Sequence, residues 1–96
     1  MPKTTVIKAL KRLKKDAASY NIEVFINLSI PDWSGRRMAY GRFNNLVTYC
    51  TVDLHENNLT AWVTYRGTTI WSWGMDLNTG KKWVDDTRLD IVDIGL

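Results

Sequence analysis

The chain has 96 residues, of which 45% are hydrophobic and 24% charged, and its aromatic side chains include five Trp, four Tyr and two Phe. This length predicts one domain, and this apolar share is typical of a folded protein rather than a disordered segment. The single cysteine, Cys50, allows no internal disulfide, which favours a cytoplasmic location. No apolar run approaches the ~20 residues that span a bilayer, so a membrane protein is not expected.

Positive charge is concentrated at the start of the chain. Six of the thirteen basic residues lie in the first fifteen positions, which contain no acid, while the other seven are outnumbered by ten acids. The net charge of +3 therefore comes from the leading segment. Such an asymmetry predicts that the protein approaches a polyanion by this end.

The first predicted element is an amphipathic helix over residues 4–20. Its apolar residues recur at alternating spacings of four and three: Val6, Leu10, Leu13, Ala17 and Tyr20. We expect Thr4 or Thr5 to cap its start and Asn21 to adopt the left-handed conformation past its end. The basic residues Lys8, Lys11, Arg12 and Lys15 fall on the solvent face, with Lys14 beside them.

From residue 22 onward the apolar pattern changes to a period of two, which predicts β-strands. The strands are expected at 22–30, 36–43, 46–54, 59–66, 70–77 and 81–85, with residues 89–94 as an edge strand or a docked tail. Asn44-Asn45 is either a two-residue hairpin turn or a bulge that would merge its flanking strands. The sum is an α+β domain over residues 1–96, in which one N-terminal amphipathic helix packs on a five- to six-stranded, bent antiparallel β-sheet at 22–94.

Arginine and aromatic residues interleave between Trp33 and Phe43. In an alternating strand, Arg36 and Arg42 share a face with Tyr40, whereas Arg37 lies on the other, so a structural role for this segment is also open. The leading hypothesis is non-specific contact with a nucleic-acid backbone through the helix, assisted by these arginines. The predicted nucleic-acid-binding residues are Lys8, Lys11, Arg12, Lys14, Lys15, Arg36, Arg37 and Arg42.

A second candidate surface is an aromatic ridge. Trp71 and Trp73 share one side of a strand, and Trp62 is expected to face them from the neighbouring strand, on the sheet face opposite the helix. Such a ridge is either a second small core, which a domain of this size favours, or a surface for a homodimer or another partner. With Trp33 from the preceding loop, the predicted partner-binding residues are Trp33, Trp62, Trp71 and Trp73.

The hairpin at residues 76–85 has Asn78-Thr79-Gly80 at its turn and Trp83 on its second strand. It resembles C-terminal hairpins of some small phage-encoded accessory proteins, including certain anti-CRISPR inhibitors. The alternative to nucleic-acid binding is a protein-interaction module that uses the aromatic sheet face, such as a phage or mobile-element inhibitor or a self-associating accessory protein.

Catalytic residue types are scarce. His55 is the single histidine and lies in a predicted polar turn, while Cys50 is expected to be buried in a strand. Two such residues do not make a zinc site, and the spacing of Asp85, Asp86, Asp90 and Asp93 fits no calcium loop. We therefore predict a non-enzymatic binding protein with no metal and no cofactor.

Overall fold

A computed structural model describes residues 3–28 and 35–87. The elements in chain order are the helix α1 (Lys3–Ala18) and the strands β1 (Ile22–Phe25), β2 (Gly35–Phe43), β3 (Leu46–His55), β4 (Asn58–Tyr65), β5 (Thr68–Asp76) and β6 (Lys82–Asp86). The strands form one antiparallel sheet in which each pairs with its neighbour in sequence. The sheet is curled like half a barrel, which confirms the predicted α+β fold.

The helix buries the apolar stripe that its periodicity predicts. Leu10, Leu13 and Ala17 have no exposed surface, because the helix packs across the concave side of the sheet. It begins at Lys3, so Thr4 and Thr5 lie in the first turn and the predicted cap is wrong. It ends at Ala18, and the left-handed residue expected past that end is confirmed, since Asn21 has a φ of 63°. Within residues 3–28 and 35–87, no helix has the length and apolarity to cross a membrane.

Short turns join the strands from β2 to β5. The ladder pairs Phe43 with Leu46, so Asn44-Asn45 is a two-residue hairpin turn and the bulge alternative is wrong. Asn44 has a φ of 55°, a conformation that asparagine tolerates better than most residues. Equally short turns at residues 56–57 and 66–67 connect β3 to β4 and β4 to β5.

The first strand is shorter than its apolar alternation predicts. It ends at Phe25, because β2 pairs with it only from Tyr40 to Phe43. The alternation still places side chains in the core beyond the strand: Ile26 is buried and Leu28 packs against the core. The period of two thus predicts correctly that Ile26 and Leu28 face the core, although neither residue pairs with β2. The end of this predicted strand, at 29–30, and the predicted segment 89–94 lie outside the described residues.

We call the sheet face covered by α1 the inner face and the opposite one the outer face. Strand register places Val63 beside Trp71 and Ala61 beside Trp73 on the inner face, and all four are buried. The register shifts between Val63 and Thr64, which leaves Ile70 as the extra residue of a β-bulge. Both Ile70 and its neighbour Trp71 are consequently fully buried, although strict alternation would expose one of them.

Asp16 fastens the helix to the far edge of the sheet. Its Oδ2 atom accepts hydrogen bonds from Trp73 Nε1 at 2.9 Å and from Lys82 Nζ at 2.7 Å, and its Oδ1 atom lies 3.3 Å from Arg12 Nε. Burial alone would raise the pKa of Asp16, but the hydrogen bonds from Lys82 and Trp73 and the charges of Lys82 and Arg12 hold it below its ordinary value. The helix is thus held by a charge-assisted contact as well as by its apolar stripe.

Candidate interaction surfaces

The outer face carries an unexpected row of aromatic side chains. Tyr40, at the centre of this row, pairs with Phe25 on β1 and with Tyr49 on β3. The rings of Tyr40 and Tyr49 lie 5.6 Å apart between centroids and are tilted by 42°. Met38 and Val47 flank the row from the neighbouring positions of β2 and β3.

These five side chains are largely exposed and form what we call the outer patch. Their exposed fractions are 52% for Phe25, 72% for Met38, 63% for Tyr40, 62% for Val47 and 48% for Tyr49. Aromatic side chains carry ~150 to 250 Å² each, and Met38 and Val47 add to the three aromatic rings, so the exposed area of the patch is on the order of 500 Å². This lies near the upper end for the largest apolar patch of a monomeric protein, roughly 300 to 600 Å².

The charges bordering the outer patch are balanced. Arg42 is paired in register with Glu23, and Arg36 Nη2 lies 3.5 Å from Asp53 Oδ2. Two basic and two acidic groups therefore surround the apolar area. Such a surface does not attract a polyanion in the way that the helix does.

Trp62 lies on the outer face, away from the other ridge tryptophans. It pairs with Thr51 and Ser72, and the guanidinium carbon of Arg36 lies 5.2 Å from the centroid of its ring. Its half-buried ring thus extends the outer face beyond the patch. Trp33, the remaining predicted contact in this region, lies outside the described residues.

Trp71 and Trp73 were predicted to face a partner, or else to form a core on the sheet face opposite the helix. Both side chains have no exposed surface and lie on the inner face, beneath α1. The rings of Tyr20 and Trp71 pack there with their centroids 5.8 Å apart. Trp73 donates its indole hydrogen bond to the helix. The partner role is therefore wrong for these two residues, as is the expectation that Trp62 faces them, because the helix covers their side of the sheet.

The helix presents a basic surface to solvent. Lys8, Lys11 and Lys15 are exposed, Lys14 is half-buried, and Arg12 is paired with Asp16. Between residues 3–28 and 35–87, no acidic side chain forms an ion pair with the three exposed lysines. We call Lys8, Lys11 and Lys15 the basic face.

The structure does not bring the predicted arginines to the basic face. Arg36 and Arg42 lie on the outer face, with the sheet between them and the helix, and Arg37 is on the inner-face side of β2. The split between Arg37 and the other two is the one that strand alternation predicts. Arg36 and Arg42 therefore share no surface with the basic face, and the contribution of the three arginines to nucleic-acid binding stays a prediction.

Cys50 and His55 do not form a nucleophile and base pair. Cys50 is buried on the inner face, and burial raises the pKa of its thiol to about 12. His55 is exposed at the end of the same strand, five residues on and therefore on the opposite face, with Nε2 4.0 Å from Glu56 Oε1. Among the described residues, no three potential metal-binding side chains cluster.

The β5–β6 hairpin is shaped by its turn residues. Asp76 Oδ1 accepts hydrogen bonds from the backbone N–H groups of Asn78 and Thr79, at 2.8 and 3.2 Å, and Gly80 has a φ of 77°. Trp83 lies on the outer face directly over Gly74, where a Cβ atom would overlap its indole ring. One face of this ring is therefore packed on backbone, although half of the side chain is exposed.

A cleft of about 390 Å³ adjoins the outer patch at the end of β1. Its walls include Phe25, Met38 and Tyr40 from the patch, together with Arg36 and Arg37. An apolar patch beside a cleft of this size is the arrangement in which a partner side chain becomes an anchor.

The outer patch was only partly predictable. Sequence alternation placed Tyr40 on one face of β2 with Arg36 and Arg42, but the apolar neighbours of Tyr40 were not recognised as one patch. The signal was present in the Asn44-Asn45 turn, because a two-residue hairpin fixes the register and so sets Tyr40 against Tyr49.

Comparisons of the chain with protein-family models, with curated proteins and with solved structures find no match. The function of a phage-encoded accessory protein, whose hairpins the 76–85 segment resembles, therefore stays a prediction.

Proposed function

We propose that this chain is a non-enzymatic protein-interaction module that binds a partner protein through the outer patch. The observation that carries the proposal is the exposure of five large apolar side chains in one contiguous area of the sheet. An apolar patch near the upper end of the range for monomeric proteins is often an interaction site.

The composition of the outer face supports a protein as the partner. Tyr, Phe, Met and Arg are enriched in the centres of protein interfaces, and a polar rim surrounds such centres. Here Tyr40 occupies the centre between Phe25 and Tyr49, whereas Glu23 and Asp53 lie at the rim. The balanced rim supports a protein over a nucleic acid, whose phosphates require a net positive surface.

A capture experiment with the purified chain as bait tests this function. Wild-type bait is incubated with a lysate of the source cells, with and without nuclease, and retained proteins are identified by mass spectrometry. We expect a partner that survives nuclease treatment and is lost with Tyr40→Glu, because a buried charge at the centre of an apolar interface costs affinity.

Lys11→Glu is the matched control, since it makes the same kind of change on the helix. Wild-type and Lys11→Glu baits should retain the same partner. Retention that is unchanged by Tyr40→Glu, or lost with Lys11→Glu or nuclease, contradicts a protein interface at the outer patch.

A second candidate function rests on the basic face. Its three exposed lysines leave the helix with a strong positive field, and phosphate contacts by such residues give non-specific binding to nucleic acid. If about three phosphates are contacted, affinity for duplex DNA should fall roughly 40-fold between 50 and 200 mM salt.

Fluorescence anisotropy with labelled DNA and RNA tests the second function. Lys8→Glu, Lys11→Glu and Lys15→Glu together should abolish binding. The matched control combines Arg36→Glu with Arg42→Glu on the other side of the sheet and should leave binding unchanged. An affinity that depends on the arginines, or that does not change with salt, contradicts the basic face as the site.

A further inference from the structure

We infer that the partner seated on the outer patch is a second copy of this chain, so that the protein forms a symmetric dimer through its exposed sheet face. This inference rests on the proposed function of the same surface and names its occupant. Three properties of the described residues support it: the area of the patch, its charges and its position relative to the helix.

The area of the outer face fits a weak, reversible dimer. The exposed part of the five apolar side chains is on the order of 500 Å², and Trp62, Thr51 and the rim add to it. A stable interface removes about 800 Å² from each partner, and weaker complexes remove less. We therefore expect a weak, reversible association rather than a permanent dimer.

The charges of the outer face are balanced. In a two-fold interface each residue meets the same surface of the other copy, so a patch with one sign of charge repels itself. The outer face has both Arg36 and Arg42 and both Glu23 and Asp53 around its apolar centre. These four groups carry no net charge, so two outer faces can meet without repelling each other.

The helix cannot mediate the same contact. Its solvent side holds Lys8, Lys11 and Lys15, and two such surfaces repel each other. Of these two faces, only the outer one can meet its own copy without charge repulsion.

A dimer of this kind would turn both basic faces outward. The sheet lies between the outer patch and α1, so each helix remains exposed on the far side of its own subunit. A weak non-specific contact with a polyanion would then be made twice by one particle, which raises its effective affinity.

Sedimentation velocity over a concentration series tests the inference. The wild-type chain is measured between ~5 and ~500 μM. We expect its weight-average mass to rise from one chain towards two, and Tyr40→Glu to weaken association at least about tenfold. Met38→Lys introduces the opposite charge and should have the same effect. Lys11→Glu should associate like the wild type, and circular dichroism checks that each variant is folded.

The outcomes separate this inference from the proposed function. A wild-type chain that stays monomeric throughout, or a dimer unaffected by both Tyr40→Glu and Met38→Lys, overturns the inference. If the chain is monomeric and the capture experiment still yields another protein in a Tyr40-dependent manner, the second copy is the wrong occupant while the outer patch remains an interface. If neither measurement depends on Tyr40, both proposals fail.

Discussion

The two faces of this sheet use the same residue types for different purposes. On the inner face, Trp71 and Trp73 are fully buried beneath the helix, whereas on the outer face Tyr40 and Tyr49 are about half exposed or more. Aromatic content therefore does not distinguish core from surface in this chain. The difference is made by α1, which covers one face and leaves the other to solvent.

The largest expected contrast between the faces is in truncations to alanine. Trp71→Ala should lower the free energy of unfolding by ~3 to 5 kcal/mol, because it opens a cavity in a closed core. Tyr40→Ala should change it by less than ~0.5 kcal/mol, because the ring is mostly in solvent. Urea denaturation followed by circular dichroism measures both. Similar losses for the two variants would mean that the outer patch is also part of the core.

The attachment of the helix to the inner face depends on Asp16. Asp16→Asn should cost ~1 to 3 kcal/mol, because Lys82 and Trp73 lose a charged hydrogen-bond acceptor in a half-buried position. Asp85→Asn, on the exposed side of β6, is the control and should stay within ~0.5 kcal/mol. Thermal unfolding of both variants at pH 7 measures the difference, and equal melting temperatures would contradict it.

The same contact predicts a particular pH dependence. The pKa of Asp16 lies below 3.8 in the folded protein, so its stabilisation is fully present above pH 3.8. It should be lost as the pH falls through the folded-state pKa, because the protonated carboxyl no longer holds Lys82 as an ion pair. Denaturation curves of wild type and Asp16→Asn should converge in that acid range. A gap that stays constant down to low pH would contradict this role.

A smaller contrast lies within the inner face, between the two buried indoles. Trp73 Nε1 donates to Asp16, whereas Trp71 Nε1 is buried with no hydrogen-bond partner among the described residues. Trp73→Phe should therefore be more destabilising than Trp71→Phe by about 1 kcal/mol. Equilibrium unfolding of the two variants provides the measurement. The reverse order would show that ring volume matters more than the hydrogen bond.

The smallest predicted effect is on the outer face. Gly74→Ala places a Cβ where the indole of Trp83 now lies, yet the cost should be below about 1 kcal/mol because this half-exposed ring can swing into solvent. In a chain that already carries Trp83→Ala, adding Gly74→Ala should lower the free energy of unfolding little further. A double-mutant cycle measures this difference. A large loss at Gly74 would mean that Trp83 is held rigidly.

Most of the fold follows from local sequence patterns. The period of the helix stripe, the Asn44-Asn45 turn and the Asn78-Thr79-Gly80 turn are local signals, and each lies where the chain turns or packs. The bulge at Ile70 was not predictable, because it changes the face of a residue without changing the composition of the strand. The strand ends differ from the predicted ones because each end depends on the length of the partner strand, which the local pattern does not contain.

The interaction surface was harder to predict than the fold. Strand β3 carries apolar residues on both faces, and the alternation of β5 alone does not tell which face the helix covers. Trp71 and Trp73 were consequently placed on the wrong side of the sheet, whereas Tyr49 was not recognised at all. Knowing that Asp16 reaches Trp73 settles the question, but this contact joins residues far apart in sequence.

The order of strands in the sheet also has a consequence for how the chain folds. Each strand pairs with the next, and three of the connections close over two residues, so the sheet can grow hairpin by hairpin with little loop-closure entropy. The helix differs, because Asp16 must wait for a residue 57 positions later. Leu10 and Leu13 therefore leave the ribosome long before the strands that bury them. We expect docking of the helix, rather than formation of the sheet, to be the late step in folding.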